Sequence, residues 1–239
     1  MSYLWEKFNI KTFPARPLVF ADGEFQPELS DCDAAKLEIN DNNIEIIVDS
    51  AGELPIHIIY VGEIIGDKVI KIKQSESRIS NLESRIYLTA KLSNKLPAFL
   101  TFFIDSAGKN SKINAKIVIQ NFSGLKLSIF ADHLAENTGL FVQNRVLAHA
   151  GSETELYGLA KIVGDCPDCE SDISFTAMCA PDAKITMSPN QRIVSIPKSA
   201  EHSASIYRGT QPQIQYLAAA GLTPDQIKTT LEKAFLELS

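Results

Sequence analysis

From about residue 36 to about residue 200 the chain is a succession of short β runs broken by polar turns. The side chains in these runs alternate. Ile113, Ala115, Ile117 and Ile119 fall on one side of an extended strand, with Lys112, Asn114 and Lys116 on the other. Leu125, Leu127 and Ile129 repeat the device. A period of two places every second side chain on one face, the pattern of a half-buried strand and not of a helix. Runs read at Ile44–Val48, Ile56–Val61, Val69–Ile72, Ile86–Ala90, Phe99–Ile104, Ile113–Ile119, Leu125–Phe130, Leu140–Val142, Leu156–Ile162 and Ile173–Met178. They restart at intervals of roughly 10–16 residues, which suits a sandwich, a barrel or the coils of a β-helix. Spacing alone does not choose among the three, although a strict hexapeptide repeat is excluded.

Both ends of this region carry punctuation. Leu18-Val19-Phe20-Ala21 reads as a strand, Asp22-Gly23 as a turn and Glu24-Phe25 as a return strand, with Leu29-Ser30 beyond. At the other end, Thr186 to Gly221 begins as alternating β sequence, passes His202, and turns helical near Thr210. Thr210 and Gln213 have capping-box spacing, with Pro212 in the first turn and Gly221 as the stop. Thr223, Pro224 and Gln226 open a second helix in the same way. Ile227, Leu231 and Phe235 form its apolar stripe, flanked by Ala234 and Leu238, while Lys228, Glu232 and Lys233 face away. The expected organisation is a leader over 1–17, a β core over 18–205 and a helical region over 206–239. The leader docks by Trp5, Phe8 and Phe13.

Composition narrows the function classes. A chain of 239 residues with 45% apolar content can bury a large core. The net charge is −6 and Lys and Arg are scattered, so no basic stripe awaits nucleic acid. No apolar run approaches the roughly 20 residues of a membrane-spanning helix. MSYLWEKFNIK has an acidic Glu6 and no apolar signal core, so the expectation is a cytoplasmic protein. Four cysteines make no disulfide framework. Nucleophile elbow, zincin helix, Walker A loop and dinucleotide fingerprint are all missing, and no nucleophile–base–orienter set can be assembled. The expectation is a protein that is not an enzyme.

The ordered run Pro189, His202-Ser203-Ala204-Ser205, Tyr216-Leu217 with Gly221, and the helix from Thr223 resembles the C-terminal end of the SufB/SufD family of iron–sulfur cluster assembly proteins. The segment from Leu18 to Ser30 is similar to the entry strand of the SufD branch. The resemblance covers residues 17–31 and 139–239, in a chain little more than half the usual family length. It implies a right-handed parallel β-helix with a small C-terminal helical region, which decides the fold class as mainly β. It also implies a scaffold or partner subunit, either a homodimer or a heterodimer with a SufB-like protein, that docks a Suf-type ABC ATPase through its C-terminal helices. An iron–sulfur cluster would be held only transiently, if at all, and no resident cofactor is implied.

The same resemblance places His202 at the dimer interface, near the nascent cluster; without it, a lone histidine at a strand end reads as a hydrogen-bonded structural residue. The SufD branch has a cysteine two residues before this histidine, where this chain has Ala200. The SufB branch has a glutamate on each side of it; this chain keeps Glu201 but has Ser203 in the second place. An ungapped alignment puts Ser174 at the cluster cysteine of the SufB branch, and a short gap brings Cys179 closer. Cys166-Pro167-Asp168-Cys169, read as a hairpin tip, is open to three readings: ordinary turn cysteines, half of a metal site completed by a second chain, or a redox dithiol. Cys32 and Cys179 are single. His133 and His149 fall at strand ends; Asp132-His133 alone is a weak acid–base hint and reads instead as a solvated turn. The alternative from another class is an all-β binding or structural module with no iron–sulfur role.

Overall fold

In a computed structural model, residues 16–31, 35–40, 42–48, 55–74, 85–162, 164 and 166–237 are described. The leader up to residue 15, Cys32 and Leu238 lie outside the described residues. Each alternating run of the sequence is a strand: β1 Pro17–Ala21, β2 Glu24–Phe25, β3 Ala35–Asn40, β4 Asn43–Val48, β5 Ile56–Glu63, β6 Lys68–Gln74, β7 Arg85–Asn94, β8 Ala98–Ser106, β9 Lys112–Asn121 and β10 Gly124–His133. β11 Gly139–Ala148, β12 Glu153–Ile162, β13 Glu170–Cys179, β14 Lys184–Ile193 and β15 Ser199–Ile206 complete the set. Most reach further than the apolar runs that announced them, because the strand continues through its polar end residues. Two helices follow, α1 Gln211–Ala219 and α2 Pro224–Leu236.

Odd and even strands segregate. One sheet has the order β15-β13-β11-β9-β7-β5-β1-β2 and the other β14-β12-β10-β8-β6-β4-β3. From β5 on, every neighbour pair is parallel. The chain therefore winds as a parallel β-helix of about five turns, flattened into two sheets. This resolves the choice the spacing left open: a sandwich or barrel of consecutive strands would be antiparallel, whereas here each strand pairs with the one two places on.

Register stacks like positions into columns. Leu18, Ile58, Leu88, Ala115, Val142 and Ile173 form one inward column, and Ile46, Ile72, Ile104, Ala131 and Ala160 form another. All are buried in one continuous core. Columns accommodate bulk by exchange between the sheets. Gly158 of β12 lies opposite Phe175 of β13, and a Cβ at residue 158 would stand 2.7 Å from the Phe175 ring. On the outer face of the even sheet, Phe103 and Phe130 stack at 5.0 Å between ring centroids.

The corners are polar and hydrogen-bonded from coil to coil. At the end of β7, Asn94 donates its side-chain amide to the carbonyls of Leu96 and Gly124 (3.2 and 3.1 Å). One coil on, Asn121 donates to Glu153 O and Thr154 Oγ1 (3.0 and 2.7 Å). At the opposite corner Asn110, Asn137 and Asp168 recur with positive φ, a conformation that Asn and Asp tolerate. Their backbone N–H groups donate to Glu136 O, Pro167 O and Ile196 O of the following coil. Burial demands such partners for backbone polar groups, and these turn residues supply them where the sheet ladder stops.

The helical region forms as its caps dictate. Thr210 and Thr223 each accept from the backbone N–H three residues on, while Gln213 and Gln226 reach back to the cap N–H at 2.9 Å. Ile227 and Phe235 of α2 are buried, and the helix packs on β11. There Arg145 donates to the carbonyls of Phe235 and Glu237 at the end of α2 (3.2 and 2.9 Å), and Tyr207 stacks on Phe235. No residue of α1 is buried, and Tyr216 is 75% exposed.

Candidate functional site

The two ends of the solenoid differ. At the N-terminal end both sheets finish in antiparallel strands: β2 folds back on β1, and β3 folds back on β4. The β1–β2 turn has Asp22 and Gly23 both at positive φ, the signature of a two-residue hairpin that follows strand twist. At the C-terminal end β14 pairs with β12 and β15 with β13, and among the described residues nothing pairs with their far edges.

The open end also exposes positions that are core elsewhere. The columns that hold Ile173, Phe175 and Ala177, all buried, continue one rung further as His202, Ala204 and Ile206, all exposed. His202 is thus the last rung of an inward column that begins at Leu18. In the even sheet Ile185 and Met187 cover the core only in part. Ile193, Val194 and Ile196 extend the apolar surface along the rim, Ile196 being 86% exposed. The two terminal strands are tied together by Gln191, whose side chain donates to Glu201 O at 2.6 Å. Glu201 stands beside Asp172 on the outer face; burial first, and the neighbouring Glu201 second, push the Asp172 carboxyl above its ordinary range.

The sequence-derived candidates do not converge on one site: Ser174 is close to His202 but on the opposite face, and the cysteines lie further off. Ser174 lies on the outer face of β13, beside Ser203, and donates to Val142 O. Cys179 lies six residues beyond Ile173, the partner of His202, so about 20 Å separates them along the strand direction. Burial raises the Cys179 thiol above its ordinary range. Among the described residues no thiol stands beside His202 in register, since its partner is Ile173 and the flanking pairs are Asp172 with Glu201 and Ser174 with Ser203. Tyr216 is on the outside of α1, and Pro189 is an inward residue of β14 beside Gly158.

Cys166 and Cys169 are not at a hairpin tip. They flank the turn between β12 and β13, strands of different sheets, and both are buried. Pro167 and a positive-φ Asp168 occupy the middle of the turn. The thiols face inward: Cys166 Sγ donates to His133 O at 3.5 Å, and Cys169 Sγ lies 3.3 Å from Ala135 O and 3.2 Å from Thr138 Oγ1. Thr138 in turn meets His133 Nδ1 at 2.7 Å. As they stand, these thiols bond to their own chain rather than face a second one. Among the described residues no group of three or more His, Cys, Asp or Glu is placed to hold a metal ion.

Sequence reasoning placed His133 in a solvated turn. The structure makes it fully buried, on the inward side of β10 in the column of Gln74 and Ser106, with Nε2 lacking a partner. Burial pulls its pKa down to about 4, so the ring is neutral. Its place was legible in principle, because Leu125, Leu127 and Ile129 set the inward parity that His133 shares. His149 is half-buried and stacked on Phe122 at 3.9 Å. Compared with protein-family models and with curated proteins, the chain matches none.

Proposed function

We propose that this protein is a SufB/SufD-like scaffold or partner subunit of iron–sulfur cluster assembly, in which one solenoid joins another through β14 and β15. The observation that carries the reading is the asymmetry of the ends. At the N-terminal end the outermost strands β2 and β3 are antiparallel returns whose Phe25, Ala35 and Leu37 pack on the core, whereas at the C-terminal end the far edges of β14 and β15 have no partner among the described residues and lie beside exposed core positions. Free sheet edges next to apolar surface are templates for pairing with another chain. The C-terminal landmarks of the resemblance lie at or follow this end: His202 on its last rung, Pro189 in its other strand, and the capped helices after β15 in the chain.

Cluster chemistry would fall mainly to the partner. Iron is held by thiolates, and the register neighbours of His202 carry none. This chain contributes a histidine, the carboxylate of Glu201 and a shaped edge, whether the partner is a second copy or a SufB-like protein. α1, capped but without a buried residue, offers its surface to a Suf-type ABC ATPase, while α2 fastens it to the solenoid. A non-catalytic all-β module would share the solenoid but not these partners.

Co-purification with the Suf-type ATPase and SufB-like protein of the same source tests the reading. A complex is expected, and deletion of residues 209–239 should release the ATPase while leaving the solenoid pair intact. Failure of the intact chain to retain either partner would favour the module without an iron–sulfur role.

A further inference from the structure

We propose that Cys166 and Cys169 are a thiol–disulfide switch that sets how firmly β15 is seated. Residues i and i+3 of a β-turn have Cα atoms within about 7 Å, and disulfides span about 4.4–6.8 Å between Cα atoms. The turn therefore brings the two cysteines into bridging range. Both also belong to one buried cluster with Ile162, against which Ala200 packs.

The turn is the seat of the last strand. Cys169 O accepts from the N–H groups of Lys198 and Ser199, where β15 begins, and Asp168 N–H donates to Ile196 O in the segment that leads into it. Below, the thiols anchor the turn to the previous coil through His133 O, Ala135 O and Thr138 Oγ1. Above, the cover is the single layer formed by residues 194–200, and among the described residues no coil lies beyond it. A reagent therefore reaches the pair when that layer lifts.

The oxidant required is a small-molecule disulfide such as oxidised glutathione. One thiol loses its proton to solvent and attacks it, releasing one glutathione and leaving a mixed disulfide. The second thiolate displaces the other glutathione as the Cys166–Cys169 bond forms. Two protein hydrogens are lost, and the oxidant is reduced to two thiols. The bridge removes both S–H donors, so Ala135 O and His133 O lose their sulfur partners and the turn, with β15 upon it, loosens.

The full chain with Cys32→Ser and Cys179→Ser, in glutathione buffers of stepped ratio, tests this. Mass spectrometry should show loss of two hydrogens mapped to the peptide containing Cys166 and Cys169, reversed by dithiothreitol. Amide exchange over 198–206 should then rise about tenfold or more while β7 and β9 are unchanged. Two outcomes would overturn the proposal. In one, the native pair stays reduced in a buffer that oxidises it in the denatured chain; in the other, the bridge forms and β15 exchanges as before.

Discussion

His133 is a histidine used as core. Its ring takes a position that neighbouring coils fill with Ser106 and Ile162, and only Nδ1 has a partner. The folded pKa, about 4, lies below the ordinary value of 6.5. Between these values the unfolded chain binds a proton that the folded chain refuses. The contribution is therefore fully present above pH 6.5 and is lost as pH falls to about 4. Protonation in that window should remove about 3 kcal/mol of stability, at 1.36 kcal/mol per unit. Urea unfolding of the parent and a His133→Met variant between pH 7 and 4.5 checks this. The parent should lose stability faster than the variant, whereas parallel curves would mean the ring is not buried neutral. A second residue-scale test lies at Gly158. Gly158→Ala should cost about 1–3 kcal/mol, because its Cβ meets the Phe175 ring, and Phe175→Leu in the same chain should recover part of the loss. Equal thermal midpoints for Gly158→Ala and the parent would contradict the packing.

The helical elements show what local chemistry can settle. Both capping boxes and the Ile227–Phe235 stripe were readable because every participant lies within one or two turns of the others. Phe235→Ala, or Leu231→Ala, should loosen α2 by about 2–4 kcal/mol, read as faster amide exchange over 224–236. Arg145→Ala should act in the same direction but more weakly, since it removes only two carbonyl contacts at the helix end. Unchanged exchange in all three would mean that α2 is not held by this face. The strands were legible for the same local reason, their alternation. Their partners were not. Lys112 and Asn114 announce a strand, but nothing beside them announces that Gly139 and Phe141 lie next to them in register. The hairpin-tip reading of Cys166-Pro167-Asp168-Cys169 fails on the same account. A Pro-Asp turn between strands looks alike whether the next strand pairs with the last one or joins the opposite sheet.

At the scale of the whole molecule the two ends of the described solenoid differ: antiparallel returns end the sheets at one, and parallel strands with exposed core positions end them at the other. His202 illustrates why the sequence could mark the C-terminal end without explaining it. The residue sits on an inward column, where its neighbours are isoleucine and valine, and among the described residues no further coil covers it. That follows from stacking, which a linear reading does not contain. The central claim is that this end is an interface between solenoids, and solution mass tests it most directly. Sedimentation should be run on the chain alone and mixed with a SufB-like partner, each beside an Ala204→Lys variant that places a charge on the open column. The account predicts a two-solenoid species in at least one of the two samples and its loss in the variant. A 26.3 kDa monomer under both conditions, or an assembly indifferent to Ala204→Lys, would contradict it.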